Sequence, residues 1–225
     1  MSHIDTELNQ LKAKLMEMWD LVEYQLESGF EATLNADFEL ADKVIKLGRK
    51  VNNYDVKIDR LCENFMALYT PVAVDLRIVL AILKINANLE RIGDTTEGIS
   101  MFVKKIKAPL NAQLMEDTNA LVMYREAIDM MMQCRKAFID NDTELAQQVI
   151  KRDKVLNKIY RKADQVAANF MKANPENIME GLMLYSIIKK LERVGDQVTN
   201  IAEEIIFYRN AKVVRHKSKR KKNKD

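Results

Sequence analysis

An internal repeat constrains the fold of this chain more than any other feature of its sequence. The segment that begins at Asp37 recurs 105 residues later, at Asp142, and the match continues to Met66 and Met171. After a proline turn in each copy the offset becomes 102, and the five residues ERIGD at 90–94 match ERVGD at 192–196. Self-similarity over successive segments predicts that one structural unit is written twice in the chain.

Helical periodicity fills almost all of both copies. Apolar residues recur at steps of three and four, as in the stripe Leu8, Leu11, Leu15, Met18 and Val22. Only 6 glycines and 3 prolines are present, and the breaks between stripes are short. The predicted helices span about 5–34, 37–68, 72–105, 112–139, 142–172 and 177–210. We therefore expect an all-α fold of six long antiparallel helices, arranged as two tandem three-helix bundles.

The breaks divide the chain into two predicted domains and a tail. Residues 1–107 make the first three-helix repeat and residues 108–211 the second. Residues 212–225 hold eight of the 36 basic residues and one of the 33 acidic residues, so the preceding part carries a net charge of −4. An acidic body disfavours nucleic-acid binding. The tail is interpreted either as a disordered, solubilising end or as a segment attracted to anionic lipid at the inner face of the membrane.

We expect no secretory signal peptide at the N-terminus and no metal site at the cysteines. Acidic residues appear soon after Met1, and the longest apolar runs fall far short of a membrane-spanning helix. Cys62 and Cys134 lie inside helical patterns and are expected to be reduced, partly buried thiols. These features predict a cytoplasmic protein.

Carboxylates at helical spacing are the main candidate for a binding site. Glu90 and Asp94 are four residues apart, as are Asp55 and Asp59, so each pair shares one face of its helix. The corresponding helices of the second copy offer six oxygen-bearing residues: Asp153, Asn157, Asp164, Glu192, Asp196 and Asn200. Two like charges in a shared groove repel by about 3 kcal/mol. A cation or arginine side chains must therefore compensate for them.

The types of ligand select the kind of ion. The clusters contain only carboxylates and amides, and both histidines, His3 and His216, lie at the chain ends. Oxygen-only ligands favour hard ions such as iron(III), manganese, magnesium or calcium over zinc or copper. The alternative is a charged helix surface on which Arg77, Arg91 and Arg193 form salt bridges with the acids.

The surroundings of the acids favour binding over catalysis. No nucleophile–base pair accompanies them, so we expect a protein that works by binding partners and is not an enzyme. A ferritin-like oxidase is excluded because its Glu-x-x-His ligands are absent. A histidine phosphotransfer bundle is excluded because no helix interior carries a histidine. A metal-dependent hydrolase of phosphoesters, with a multinuclear carboxylate site, is the alternative function.

Two stretches of the chain resemble a known family. Residues 71–77 (PVAVDLR) followed by 89–94 (LERIGD) are similar to the signature of the PhoU family, and 191–196 (LERVGD) resembles its second half. The resemblance covers nearly all of residues 5–210. It implies a cytoplasmic negative regulator of phosphate uptake and of phosphate-starvation signalling. It also implies a homodimer whose partners are the ATPase of a phosphate ABC transporter and a phosphate sensor histidine kinase.

The resemblance also implies metal sites. Carried over residue by residue, the first site uses Asp55, Asp59, Glu90 and Asp94. The second site uses Asp164, Glu192 and Asp196, joined by Asp153 and Asn200. This chain departs from the family pattern in the second copy, since Tyr160 stands where the first copy has Asp55 and Asn157 stands where many family members have an acid. We therefore expect the second site to be the weaker one.

Overall fold

The computed structural model describes residues 3–106 and 108–211. Within these residues lie seven α-helices and one 3-10 turn: α1 His3–Asn35, α2 Phe38–Tyr69, α3 Ala73–Ile106, α4 Ala112–Asp117, α5 Ala120–Asp140, α6 Thr143–Ala173, the 3-10 turn Pro175–Asn177 and α7 Ile178–Asn210. The expected all-α fold with two tandem helical bundles is confirmed. No helix in this part of the chain is long and apolar enough to cross a membrane.

Matched capping residues begin the middle helix of each repeat. The carboxylate of Asp37 accepts a hydrogen bond of 2.9 Å from the backbone amide of Leu40. The carboxylate of Asp142 accepts bonds of 2.9 Å from the amides of Glu144 and Leu145. Each cap satisfies amide groups that the first turn of a helix leaves without partners. The repeat in the sequence is therefore also a repeat in local structure.

The fourth predicted helix is broken, which the sequence prediction missed. One helix was expected over about 112–139, but α4 ends at Asp117 and α5 begins at Ala120. The hydroxyl of Thr118 is buried and donates to the carbonyl of Leu114 over 2.7 Å. Asn119 follows in the left-handed region, with φ of 57°. A Thr hydroxyl that bonds its own backbone and an Asn that tolerates positive φ together end the helix.

Each repeat packs three long helices around an apolar interior, and the two interiors are continuous. In the first repeat α1, α2 and α3 contact one another, and in the second α5, α6 and α7 do so. Fully buried side chains from both repeats, such as Leu15, Ile82, Met130 and Leu191, belong to one hydrophobic core. Burial of this apolar surface is the main force that holds the helices together.

The helices α3 and α7 lie side by side and antiparallel at the centre of the molecule. The ammonium group of Lys84 lies 3.2 Å from the carboxylate of Glu204, and the amide of Asn200 lies 3.4 Å from Asn88. Further along, Lys190 reaches over the backbone of Gly98. These contacts share one register, which places the two matched ERxGD segments level with each other.

The helices α1 and α5 form the second contact between the repeats. The rings of Trp19 and Phe138 have centroids 5.9 Å apart, and Tyr124 lies across from Thr33 near the other end of this contact. By the 105-residue offset, Trp19 corresponds to Tyr124 and Thr33 to Phe138. A pseudo-two-fold rotation relates the repeats, and it exchanges the pair Trp19–Phe138 with the pair Tyr124–Thr33.

Two further expectations concern the cysteines and the domain limits. Cys62 and Cys134 are free thiols, as expected, and both are fully buried. Burial raises the pKa of Cys62 to about 12 and raises the pKa of Cys134 as well. The division into domains at residues 107 and 108 stays a prediction, and the basic tail 212–225 lies outside the described residues.

Candidate metal centre

The first acidic patch lies between α2 and α3. It consists of Asp55 and Asp59 on α2 with Glu90 and Asp94 on α3, all four of them predicted from the sequence. Asp55 and Asp59 are one turn apart, as are Glu90 and Asp94, so each pair projects from one side of its helix. The structure thus brings the carboxylates of two helices to the same groove.

Burial and mutual repulsion weaken the acidity of this patch. Partial burial raises the pKa of Asp55, and the charge of Asp59 raises it further. Partial burial also raises the pKa of Glu90, followed by the charges of Asp94 and Asp55, while Arg91 opposes the shift. A carboxylate whose pKa is raised in this way gains when a cation enters the patch, because the cation favours the charged form.

Asn86 holds the α2 side of the patch together, and the sequence prediction missed it. Its amide nitrogen lies 2.8 Å from a carboxylate oxygen of Asp55, 3.0 Å from one of Asp59 and 3.0 Å from the backbone carbonyl oxygen of Asp55, so its two hydrogens are shared among three acceptors. Asn86 is fully buried, and its side-chain oxygen has no hydrogen-bond partner. The sequence did contain a signal for this residue: Asn86 is a polar residue within an apolar stripe, one turn before Glu90. In the second repeat this position holds Ile188.

The second acidic patch lies between α6 and α7 and differs in composition. Glu192 and Asp196 on α7 face Asp153 on α6, and Asn157 donates a hydrogen bond to the carboxylate of Asp153. Burial, together with the charge of Asp196, raises the pKa of Asp153 to about 6. One of its oxygens is buried without a hydrogen-bond partner. The pKa values of Glu192 and Asp196 are also raised, chiefly by burial.

Two predicted members of the second site lie elsewhere. Asp164 is exposed, accepts a hydrogen bond from the backbone amide of Gln165 at 2.7 Å and acts electrostatically on Tyr185, not on Glu192. Asn200 reaches Asn88 across the contact between α3 and α7. The structure therefore centres the second patch on Asp153, which the sequence prediction had included only as an additional member.

The side chains of both patches are of the type that binds hard metal ions, but they do not converge on one point. Among residues 3–106 and 108–211 no three carboxylate, histidine or cysteine side chains converge tightly enough to hold a metal ion as placed. The alternative of arginine salt bridges is not formed either: in the same part of the chain Arg77, Arg91 and Arg193 have no carboxylate within 4.0 Å. Arg77 instead donates to the backbone carbonyl of Tyr208. In the described residues, no salt bridge therefore compensates the carboxylates of either patch.

A tight glycine contact brings the helices of the second patch together. A Cβ atom on Gly195 would lie 3.0 Å from a carboxylate oxygen of Asp153 and would collide with the side chain of Leu156. At the matched position, a Cβ atom on Gly93 would lie 3.1 Å from both Gln25 and Val51. The glycine of each ERxGD segment thus permits a close helix approach beside the acids.

Comparisons with known proteins agree with the sequence resemblance. The PhoU domain family matches the chain twice, over residues 15–103 and 121–205. A phosphate-specific transport system accessory protein PhoU homolog of Burkholderia sp is 31% identical over 216 residues, which cover 96% of this chain and 92% of the relative. The phosphate-specific transport system accessory protein PhoU of Escherichia coli (strain K12) is 30% identical, covering 94% of this chain and 87% of the relative.

Solved structures give the same result. A crystal structure of PhoU from Pseudomonas aeruginosa has a TM-score of 0.85 and 28% identity, covering 93% of this chain and 100% of that one. The phosphate transport system regulatory protein PhoU from Streptococcus pneumoniae also has a TM-score of 0.85, with 25% identity. The relatives are accessory and regulatory proteins of phosphate transport, which confirms that the chain is not an enzyme. With both repeats matched and relatives similar along nearly their whole length, the chain belongs to the PhoU family.

Proposed function

We propose that this chain is a cytoplasmic negative regulator of phosphate uptake and of phosphate-starvation signalling. The observation that carries the proposal is the match of both repeats to the PhoU domain, together with relatives named as accessory proteins of the phosphate-specific transport system. The regulator acts by contact with other proteins.

Deletion of the gene in its own organism tests this function. The expected result is expression of phosphate-starvation genes and faster phosphate uptake in phosphate-rich medium, both reversed by the wild-type gene on a plasmid. Unchanged expression and unchanged uptake in the deletion strain would overturn the proposal.

The proposed partners are the ATPase of the phosphate ABC transporter and the phosphate sensor histidine kinase, and the proposed assembly is a homodimer. Binding of each purified partner to the full chain can be measured by biolayer interferometry. Light scattering coupled to size-exclusion chromatography gives the oligomeric state. Absence of binding to both partners would refute this part of the proposal, and a monomer at micromolar concentration would refute the dimer.

We propose further that the two acidic patches bind hard metal ions. The supporting observations are the oxygen-only side chains, the raised pKa values of Asp55, Glu90 and Asp153, and the unpartnered buried oxygens of Asn86 and Asp153. Binding requires the side chains to move, since among the described residues no three of them converge as placed. The bound ions would neutralise the patches and stiffen the contact between the middle and last helix of each repeat.

Elemental analysis of protein purified without chelators or affinity tags tests the metal proposal. We expect metal loss in Glu90→Ala from the first patch and in Glu192→Ala from the second. Asp153→Asn should behave like Glu192→Ala, whereas Asp164→Asn should keep the wild-type content because Asp164 faces Tyr185. Equal metal content in all variants and in the wild type would overturn the proposal.

The basic tail is proposed to add weak contact with the inner face of the membrane. Each basic residue near an anionic surface contributes about 1 kcal/mol of attraction, and residues 212–225 hold eight of them. Truncation after Ala211 should reduce binding to vesicles that contain phosphatidylserine. Undiminished binding of the truncated chain would refute this role of the tail.

A further inference from the structure

A second surface of the first repeat carries cations beside an apolar floor. Three adjoining hollows, of about 400, 260 and 440 Å³, follow α2, and the first two of them also border α1. Lys57 lines all three, so they form one continuous surface, which we call the α1–α2 groove. The groove extends from Lys50 to Tyr69, a stretch of α2 about 30 Å long. No member of the acidic patches lines it.

Apolar side chains form the floor and one rim of the α1–α2 groove. Leu11 and Phe65 are buried core residues that close the bottom, and Leu61 is half-buried above them. Val56 and Leu68 stand at the rim with 49% and 74% of their surfaces exposed. Apolar side chains exposed beside a concave surface with a polar border give that surface the character of a docking site.

Three of the four cations that line the groove have no carboxylate partner in the described part of the chain, whereas the fourth, Lys14, pairs with Glu17 at 2.6 Å. Within the described residues no carboxylate lies within 4.0 Å of Lys50, Lys57 or Arg60. By comparison, Arg152 is held by two carboxylates on the neighbouring helix. Among the residues that line the groove, Glu7 is the acid. The groove therefore presents net positive charge to a partner.

The second repeat has a smaller groove at the matching place. A hollow of about 380 Å³ lies between the start of α5 and α6, and Lys158 and Lys162 line it together with the exposed side chain of Val155. Lys162 corresponds to Lys57 by the 105-residue offset. Since the two grooves share their position and a cation, the first groove belongs to the architecture of the repeat and is not an accident of one surface.

We propose that the α1–α2 groove binds an acidic amphipathic helix of a partner protein. The apolar side chains of such a helix, spaced at three and four residues, enter the hollows, and its acidic side chains meet Lys50, Lys57 and Arg60. The concave shape and the length of the groove suit a helix, whereas a lipid bilayer offers a broad flat surface. The inference rests on the proposed function in one respect, because a regulator that acts by contact needs a docking surface.

A synthetic peptide tests the docking surface in the purified full-length chain. The probe is a labelled helical peptide of about 20 residues, with leucine along one face and glutamate elsewhere. The control peptide has the same composition in an order that gives no apolar face. Fluorescence anisotropy should show binding of the patterned peptide. The double variant Lys57→Glu/Arg60→Glu should weaken it at least about tenfold, since each reversal turns an attraction into a repulsion.

Two further variants separate docking from simple charge attraction. Leu68→Ser should also weaken peptide binding while leaving thermal unfolding unchanged, because Leu68 is largely exposed. Lys172→Glu, an equal charge reversal at an exposed position outside the grooves, should bind like the wild type. Circular dichroism establishes that each variant is folded.

Three results would overturn the inference. Equal binding of both peptides would show that binding depends on charge alone. So would a loss of peptide affinity in Lys172→Glu as large as that in Lys57→Glu/Arg60→Glu. Groove-dependent binding of phosphatidylserine vesicles without peptide binding would assign the surface to lipid. Loss of self-association in Lys57→Glu/Arg60→Glu, again without peptide binding, would assign it to a second copy of this chain. None of these results bears on the gene-deletion test, so the two proposals fail separately.

Discussion

The hydroxyl groups of Thr33 and Tyr124 lie 3.0 Å apart in the interior, where α1 of the first repeat packs against α5 of the second. Thr33 donates its proton to the backbone carbonyl of Gly29 over 2.7 Å, so Tyr124 is the donor in the pair. Both side chains are buried, and burial raises the pKa of Tyr124. The bond is therefore a buried polar tie between the repeats, in a contact where Arg135 of α5 also pairs with Asp20 of α1 at 2.5 Å.

Removal of either hydroxyl should destabilise the protein to different extents. Tyr124→Phe should lower the free energy of unfolding by about 1 kcal/mol, because Thr33 keeps its bond to Gly29. Thr33→Val should cost about 2 kcal/mol, because it leaves the buried hydroxyl of Tyr124 without its acceptor. Urea unfolding measures both values. Additive losses in the double variant would show that the two hydroxyls are not coupled.

A fifth carboxylate in the first patch, placed at position 86, should make the stability of the first repeat depend on metal. Asn86→Asp replaces a buried donor to Asp55 and Asp59 with a negative charge. With chelator present it should cost more than about 2 kcal/mol of unfolding free energy. Manganese or calcium should recover much of that loss, since the new carboxylate adds a ligand.

The matched control for this prediction is Asn53→Asp, an exposed substitution on α2. It should change stability little with or without metal. A loss in Asn86→Asp that the ions leave untouched would contradict metal binding at the first patch.

The stability of the metal-free protein should fall as pH rises through the range in which Asp153 ionises. Burial raises the pKa of Asp153 to about 6 in the folded chain, while an unfolded Asp has a pKa of about 3.9. The folded state therefore holds this proton more tightly, and the stabilisation present below about pH 4 is lost as pH approaches about 6. Partial exposure limits the effect to about 1 kcal/mol.

Asp153→Asn should flatten this part of the pH profile, measured by chemical unfolding between about pH 4 and 7 in the presence of chelator. Asp164→Asn serves as the control, because Asp164 is exposed and lies away from the patch. An unchanged profile in Asp153→Asn would show that this carboxyl ionises normally.

Two mid-helix glycines should respond oppositely to alanine. Gly195→Ala places a methyl group against the fully buried Leu156 and within 3.0 Å of Asp153, and should cost about 1–3 kcal/mol. Gly98→Ala meets only the end of the flexible Lys190 side chain, so the better helix propensity of alanine should add up to about 1 kcal/mol. Thermal unfolding compares the two. Equal effects would mean that the close approach at Gly195 is not tight.

The helices and their repetition were readable from the sequence because they depend on local signals. The caps Asp37 and Asp142 and the apolar periodicity mark the helices wherever the backbone follows its usual hydrogen bonds. The break at Thr118 and Asn119 was missed because neither residue stops a helix by its type alone. It depends on a hydroxyl that turns back to Leu114 inside the core.

The acidic patches were only partly predictable because their make-up depends on the register in which two helices lie along each other. In the first repeat the predicted carboxylates do share a groove. In the second repeat, α6 and α7 approach closely at Gly195, and Asp153, not Asp164, is the neighbour of Glu192. Sequence spacing places residues on a face of one helix, but it does not say which residue of the next helix lies opposite.

The pairing of α3 with α7 and of α1 with α5 has a consequence for the symmetry of this architecture. A half-molecule that held one repeat would leave the sides of two long helices open to water. It would cover them by associating with a copy of itself about the axis that relates the repeats here. The present chain thus has the geometry of a symmetric pair of half-molecules joined head to tail. Once joined, the halves were free to diverge, as Asn86 and Ile188 have done at the acidic patches.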